Sequence, residues 1–141
     1  MKIAFVTTGY KPRINGLTTS VESFARIFRK LGHDVTIVTS RYPCYRDIEP
    51  GIVRIKSHYL FFDPEDRLAN PWLPSSRRII RKLLDKGFDI IHTHTHFFLE
   101  MDALRWAKKI GCPVVYTYHT LFEIYVKHYA KFLPASVKTV F

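Results

Sequence analysis

The sequence predicts an α/β fold, a Rossmann-like, doubly wound parallel sheet in one domain spanning residues 1–141. Three observations predict it. Short apolar runs rich in Ile and Val recur beside Gly or Pro, the form of strands buried on both faces. Amphipathic helical stretches alternate with these runs, as they do where helices cover a parallel sheet. The first run also breaks at a glycine loop that leads directly into a helix, which opens the chain with a βαβ unit.

Taken in order, Lys2–Thr8 reads as the first strand, and Gly9-Tyr-Lys-Pro-Arg-Ile-Asn-Gly16 as the loop after it. A helix is expected from Thr18 or Thr19, with Glu22 completing a capping box on Thr19. Val21, Phe24, Ala25, Phe28 and Leu31 recur at helical spacing, Arg26, Arg29 and Lys30 point away, and Gly32 closes the helix. Val35–Ser40 is the second strand, 41–50 a loop, and Ile52–Lys56 a shorter strand. Tyr59 to Pro74 reads as irregular, with three prolines and the exposed-looking aromatics Phe61, Phe62 and Trp72. A helix from Ser75 or Ser76 to Lys86 sets Ile79, Ile80, Leu83 and Leu84 on one side and is otherwise strongly basic. Phe88–His92 is a strand, Phe98–Ile110 a helix ended by Gly111, Pro113–Tyr118 a strand, and 121–132 a last aromatic helix.

With 141 residues, nearly half of them hydrophobic, the chain can bury one substantial core and is not disordered. Its net charge of +10 favours anionic partners: nucleic acid, an acidic membrane surface or phosphorylated ligands. Cys44 and Cys112 form no disulfide framework, which suits a reduced, cytoplasmic protein. No run approaches the roughly 18 apolar residues of a membrane span.

Polar residues gather where the later strands stop. Asp89-Ile-Ile-His-Thr-His-Thr-His96 and Val114-Val-Tyr-Thr-Tyr-His-Thr120 both run from apolar strand into histidine, which suggests a site at the carboxyl ends of parallel strands, where open α/β sheets bind ligands. His92, His94 and His96 alternate, so a strand places them on one face; with His119 nearby a zinc site is one reading. Caps, turn hydrogen bonds, or His94 and His96 lining a substrate cleft are the others. His119 either meets a substrate hydroxyl or is a core histidine satisfied by backbone. The glycine loop lacks the dinucleotide and P-loop fingerprints, yet the helix after it points free N–H groups at an anion. The basic helix bearing Arg77, Arg78, Arg81 and Lys82 is an amphipathic core helix or an interface with anionic lipid. No nucleic-acid reader motif accompanies the charge.

Three landmarks together resemble the N-terminal domain of retaining glycosyltransferases with the GT-B fold, the superfamily that includes glycogen and sucrose synthases. They are Tyr10-Lys-Pro-Arg-Ile-Asn-Gly-Leu-Thr-Thr-Ser-Val21, Phe88-Asp-Ile-Ile-His-Thr-His94 and Gly111-Cys-Pro-Val-Val-Tyr-Thr-Tyr-His-Thr120. Arg13–Ser20 and Tyr116–Glu123 further resemble bacterial diacylglycerol glucosyltransferases. The resemblance implies an acceptor-binding domain, incomplete at its C-terminal end, whose partner domain holds the nucleotide sugar, in cis or as a separate chain. It implies a UDP-hexose as co-substrate, no cofactor or metal, a membrane lipid such as diacylglycerol as acceptor, no nucleic acid, and a peripheral place on the inner face of the plasma membrane. His119 would be the catalytic group near the anomeric centre. Asn15, Gly16 and Leu17 would approach the donor diphosphate, where many members carry two glycines. Tyr10, Arg13, His94, His96, Thr120 and Glu123 would line the acceptor side of the cleft. Without the second domain the isolated chain is expected not to turn over. A non-catalytic lipid- or partner-binding module, a transferase with a soluble acceptor, and a metal hydrolase are the competing classes.

Overall fold

The computed structural model describes residues 1–60, 63–94 and 98–119. Five strands, β1 (Lys2–Val6), β2 (Asp34–Ser40), β3 (Ile52–Ile55), β6 (Ile90–Thr93) and β7 (Val114–Tyr116), form one all-parallel sheet in the order β3-β2-β1-β6-β7. Helix α1 (Gly16–Lys30) covers one face, packing Val21 and Ala25 against Ile3, Phe5, Val35 and Ile37. Helices α2 (Pro74–Leu84) and α3 (Phe98–Ile110) cover the other, where Ile80, Leu83, Leu99, Ala103 and Trp106 meet Ala4, Val6, Val38 and Ile91. The sheet is doubly wound. Its order reverses between β1 and β6, so the crevice outside their carboxyl ends is the switch point where such folds bind ligands.

The start of α1 lies earlier than a capping box on Thr19 requires. Asn15, in extended conformation, accepts the Thr18 N–H through its side chain at 2.9 Å and the Thr19 N–H through its carbonyl at 3.0 Å. Asn caps at least as well as Thr, so the helix gains a turn, and Glu22 turns instead to Lys11 at 2.5 Å. The end is as expected. Gly32 has φ +82°, and the pair Gly32 N–H to Arg29 and His33 N–H to Phe28 closes a Schellman motif. Three residues depart from the helical-face reading: Phe24 is 37% and Leu31 65% exposed, and Arg29 folds back to donate to the Val35 carbonyl at 3.0 Å. On α2 the buried stripe is Ser76, Ile80 and Leu83, and Ile79 faces outward.

The stretch read as irregular is partly sheet. β4 (Ser57–Leu60) pairs antiparallel with β5 (Asp63–Ala69) in a separate two-stranded ribbon. Asp63-Pro-Glu-Asp carries no apolar alternation, which is why periodicity missed it. Tertiary contacts supply the order: Ala69 is buried in the core under α2 and α3, and Ser40 Oγ on β2 donates to the Arg67 carbonyl at 2.8 Å. Phe61, Phe62, His96, Thr120, Glu123 and the expected helix over 121–132 lie outside the described residues.

Candidate functional site

Parallel pairing sets the site. β6 lies beside β1 with Phe5 opposite His92, and β7 lies beside β6 with Val115 opposite His92. His92 and His94 therefore share the α1 face, as their alternation predicted, and their rings stack at 4.1 Å. Phe5 meets both edge-to-face at 5.2 Å, and Phe24 of α1 closes over them at about 6 Å. The segment leaving β7 completes a ladder of side chains. His92 Nε2 is 2.7 Å from Thr117 Oγ1, and His94 Nδ1 is 3.1 Å from His119 Nε2.

Burial grades along the ladder. His94 is 1% exposed and its Nε2 has no hydrogen-bond partner among the described residues, whereas His119 is exposed. Desolvation, reinforced by His92 and His119, lowers the His94 pKa to about 3. Burial also lowers His92, with His119 adding to the effect, and burial lowers His119. All three rings are thus neutral near pH 7, able to donate from one nitrogen and accept at the other. Among the described residues no group of three or more His, Cys, Asp or Glu side chains is placed to hold a metal ion.

The glycine loop leaves β1 at the same end of the sheet. Among the described residues the N–H groups of Gly16 and Leu17 at the start of α1 have no acceptor, as expected of a helix's first turn. Gly16 is exposed, and a Cβ there would meet no atom within 4 Å, so neither backbone conformation nor packing demands its glycine. Asn15 needs no glycine either, since it is extended and serves as the cap. Arg13 is half-buried, with its carbonyl accepting from Thr18 Oγ1 at 2.9 Å. Tyr10 is buried in the core under α1 with no partner for its hydroxyl among the described residues, and burial, aided by Glu49, pushes its pKa to about 12. It lies below the loop surface rather than on it.

Two polar groups at these strand ends escaped the sequence reading. Arg54 on β3 holds both oxygens of Asp47 at 2.9 and 2.6 Å and donates to the carbonyls of Ser40 and Lys11, each at 2.7 Å. It thereby ties the loops after β1 and β2 to the sheet. Glu100, buried in the first turn of α3, accepts the Thr8 N–H at 2.7 Å and the Thr8 hydroxyl at 2.8 Å. An acid within three residues of a helix start was the only available signal for Glu100. Arg77, Arg78, Arg81 and Lys82 are exposed on α2, and none has an ion pair among the described residues. No helix among the described residues is long and apolar enough to cross a membrane.

Comparison with known proteins agrees with this architecture. The profile of Glycosyltransferase Family 4 matches residues 14–140. An alpha-monoglucosyldiacylglycerol synthase of Streptococcus pneumoniae is 33% identical over 98% of this chain, and that of Acholeplasma laidlawii 32% over 94%. The sulfoquinovosyl transferase SQD2 of Arabidopsis thaliana is 27% identical over 82%. These alignments cover 32%, 33% and 22% of the respective relatives, so the chain spans a third or less of their length. By the extent of the profile match, with the parallel α/β sheet and its histidine-bearing strand ends, this chain belongs to Glycosyltransferase Family 4.

Proposed function

We propose that this chain is the acceptor-side domain of a retaining glycosyltransferase that moves a hexose from a nucleotide sugar, a UDP-hexose, to a membrane lipid of the diacylglycerol type. Relatives named for making alpha-monoglucosyldiacylglycerol support the lipid acceptor. The observation that carries the reading is geometric. An open helix start with a glycine its own fold does not need, and an exposed histidine, stand at the same end of one sheet.

Each residue then has a task. The Gly16 and Leu17 N–H groups, with Asn15 holding the turn, meet the donor diphosphate at the positive end of α1. His119 donates a hydrogen bond to the sugar and stabilises charge near the anomeric carbon. The family resemblance assigns Thr120, Glu123 and His96, with Arg13, to the acceptor, while Tyr10 and His94 support the strand ends from within the core. No metal or cofactor takes part. Arg77, Arg78, Arg81 and Lys82 draw the domain onto anionic lipid at the cytoplasmic side, each basic residue contributing about 1 kcal/mol near the surface. A second domain, in the same polypeptide or a separate chain, supplies the donor site, so residues 1–141 alone do not turn over.

The test uses the native gene product that carries this chain, incubated with labelled nucleotide sugars and a membrane lipid extract, followed by phase separation. Label in the organic phase is the expected result. Label only in an aqueous product rejects the lipid acceptor, and no transfer with any donor rejects the enzyme in favour of a binding module. Reversing Arg77, Arg78, Arg81 and Lys82 to Glu should abolish sedimentation with phosphatidylglycerol vesicles; retained sedimentation would remove α2 from the membrane surface.

A further inference from the structure

The contact between the most buried histidine and the exposed one fixes a property of the exposed one. His94 Nδ1 and His119 Nε2 are 3.1 Å apart, and two neutral imidazoles so placed share a single proton between them. Two arrangements are available. In one, His119 Nε2–H donates to a bare His94 Nδ1; the proton of His94 then sits on Nε2, a buried nitrogen with no partner among the described residues. That leaves an orphan N–H donor in a shell of Phe5, Phe24 and His92. In the other, His94 Nδ1–H donates to a bare His119 Nε2, the Nδ1–H of exposed His119 faces solvent, and the buried atom of the pair left unmatched among the described residues is the His94 Nε2 lone pair. Orphaned buried N–H groups are rarer in proteins than under-used acceptors, which selects the second arrangement.

We propose that His94 is a positioning residue whose Nδ1–H holds His119 as its Nδ1–H tautomer, so that His119 offers an N–H, and not a lone pair, to an oxygen in the cleft. The geometry around the pair agrees. His94 cannot turn, since it is stacked on His92 and edged by Phe5, and His119 is exposed with no partner at Nδ1 among the described residues. No carboxylate among the described residues hydrogen-bonds either ring, so nothing there stabilises an imidazolium in place of the neutral pair. A hydroxyl or glycosidic oxygen of a sugar is a ligand that takes such a donor. The inference rests on the reading of His119 as the group that meets the donor sugar.

Its test reads the tautomer directly and does not need turnover. The chain is labelled with [15N]histidine, and long-range 1H–15N spectra distinguish protonated from bare ring nitrogens, with His119→Ala for assignment. Expected is a protonated Nδ1 and a bare Nε2 on His119. In His94→Phe, His119 should revert to the Nε2–H form that a solvated imidazole prefers. In His94→Asn, whose carboxamide N–H stands near the place of Nδ1–H, the Nδ1–H form should return. A protonated Nε2 on His119 in the wild-type chain overturns the proposal, as does an unchanged tautomer in His94→Phe. Should the Phe variant fail to fold, the wild-type and Asn spectra still decide. In the full-length enzyme, His94→Phe should lower kcat about tenfold or more with little change in KM, and Asn should recover most of it, since a wrong tautomer costs turnover rather than binding. Absence of transfer in the wild-type enzyme would sink the proposed reaction and leave the tautomer result standing.

Discussion

Two polar clusters flank β1 at its carboxyl end, and their central side chains are matched differently. On the β3 side, Arg54 spends its donors on both oxygens of Asp47 and on the carbonyls of Ser40 and Lys11, with the rings of Tyr10, Tyr42 and Tyr45 within 6.0 Å of its guanidinium. On the β6 side, His92, His94 and His119 stand in a ladder whose most buried member leaves one nitrogen unmatched among the described residues. A guanidinium with its donors matched rigidifies what it holds, although Tyr10 beside it keeps a buried hydroxyl without a partner among the described residues. The Arg54 cluster thereby holds the loops, while the histidines are the side that the proposed function uses.

The largest effect should come from breaking the satisfied side. Asp47→Ala leaves a guanidinium in a mostly buried place without its anion, and urea unfolding should show a loss of about 3 kcal/mol. Joining it to Arg54→Met should recover only part of this, because the Ser40 and Lys11 carbonyls then lose their donor. Full recovery would show that Arg54 and Asp47 are a self-contained pair and not a clamp between loops.

The histidine side should instead show itself through pH. The folded pKa of His94, about 3, lies below the usual value near 6.5, so between these limits the unfolded chain binds more protons. The associated stability is complete above about pH 6.5 and is lost as pH falls toward 3, at up to about 1.4 kcal/mol per unit. His92 and His119 shift the same way and add to the slope. Unfolding measured from pH 7 to 5, above most carboxylate titration, should show this fall, and His94→Phe should reduce it. A flat profile would mean that water reaches His94.

How much of this contrast was legible in the sequence differs between its two halves. The histidines were visible because each ends an apolar run, and alternation alone placed His92 and His94 on one face. The Arg54 cluster was not, since a lone Arg in Ile52-Val-Arg-Ile55 looks like a solvated residue on a short strand. Its partners lie 7, 14 and 43 residues away, a pairing that only the fold brings about. The ribbon β4–β5 was missed for the same reason: its strands are ordered by neighbours, not by their own periodicity.

The start of α1 belongs to neither cluster and calibrates both. Asn15 is a purely local device, one side chain satisfying one N–H at 2.9 Å. Asn15→Ala should cost about 1 kcal/mol, with no pH dependence between 5 and 7. A much larger loss would mean that the loop is coupled to the Arg54 clamp through Lys11, whose carbonyl Arg54 holds. A negligible one would mean that water caps the helix as well as Asn does.

The smallest effect is the most telling. His94→Phe deletes a fully buried polar ring, a change that in the Arg54 cluster would be severe. Here it removes one hydrogen bond, worth about 1 kcal/mol net, together with an unmatched nitrogen whose desolvation costs about as much. An aromatic ring in its place keeps the contacts with Phe5, Phe24 and His92, against some overpacking from its larger size. The terms nearly cancel, so unfolding at pH 7 should place His94→Phe within about 1 kcal/mol of the wild type. A residue that a neutral ring replaces without loss of stability is not there for the fold, and its reason lies in the nitrogen it turns toward His119. A loss matching that of Asp47→Ala would erase the distinction between the two clusters and make the ladder part of the scaffold.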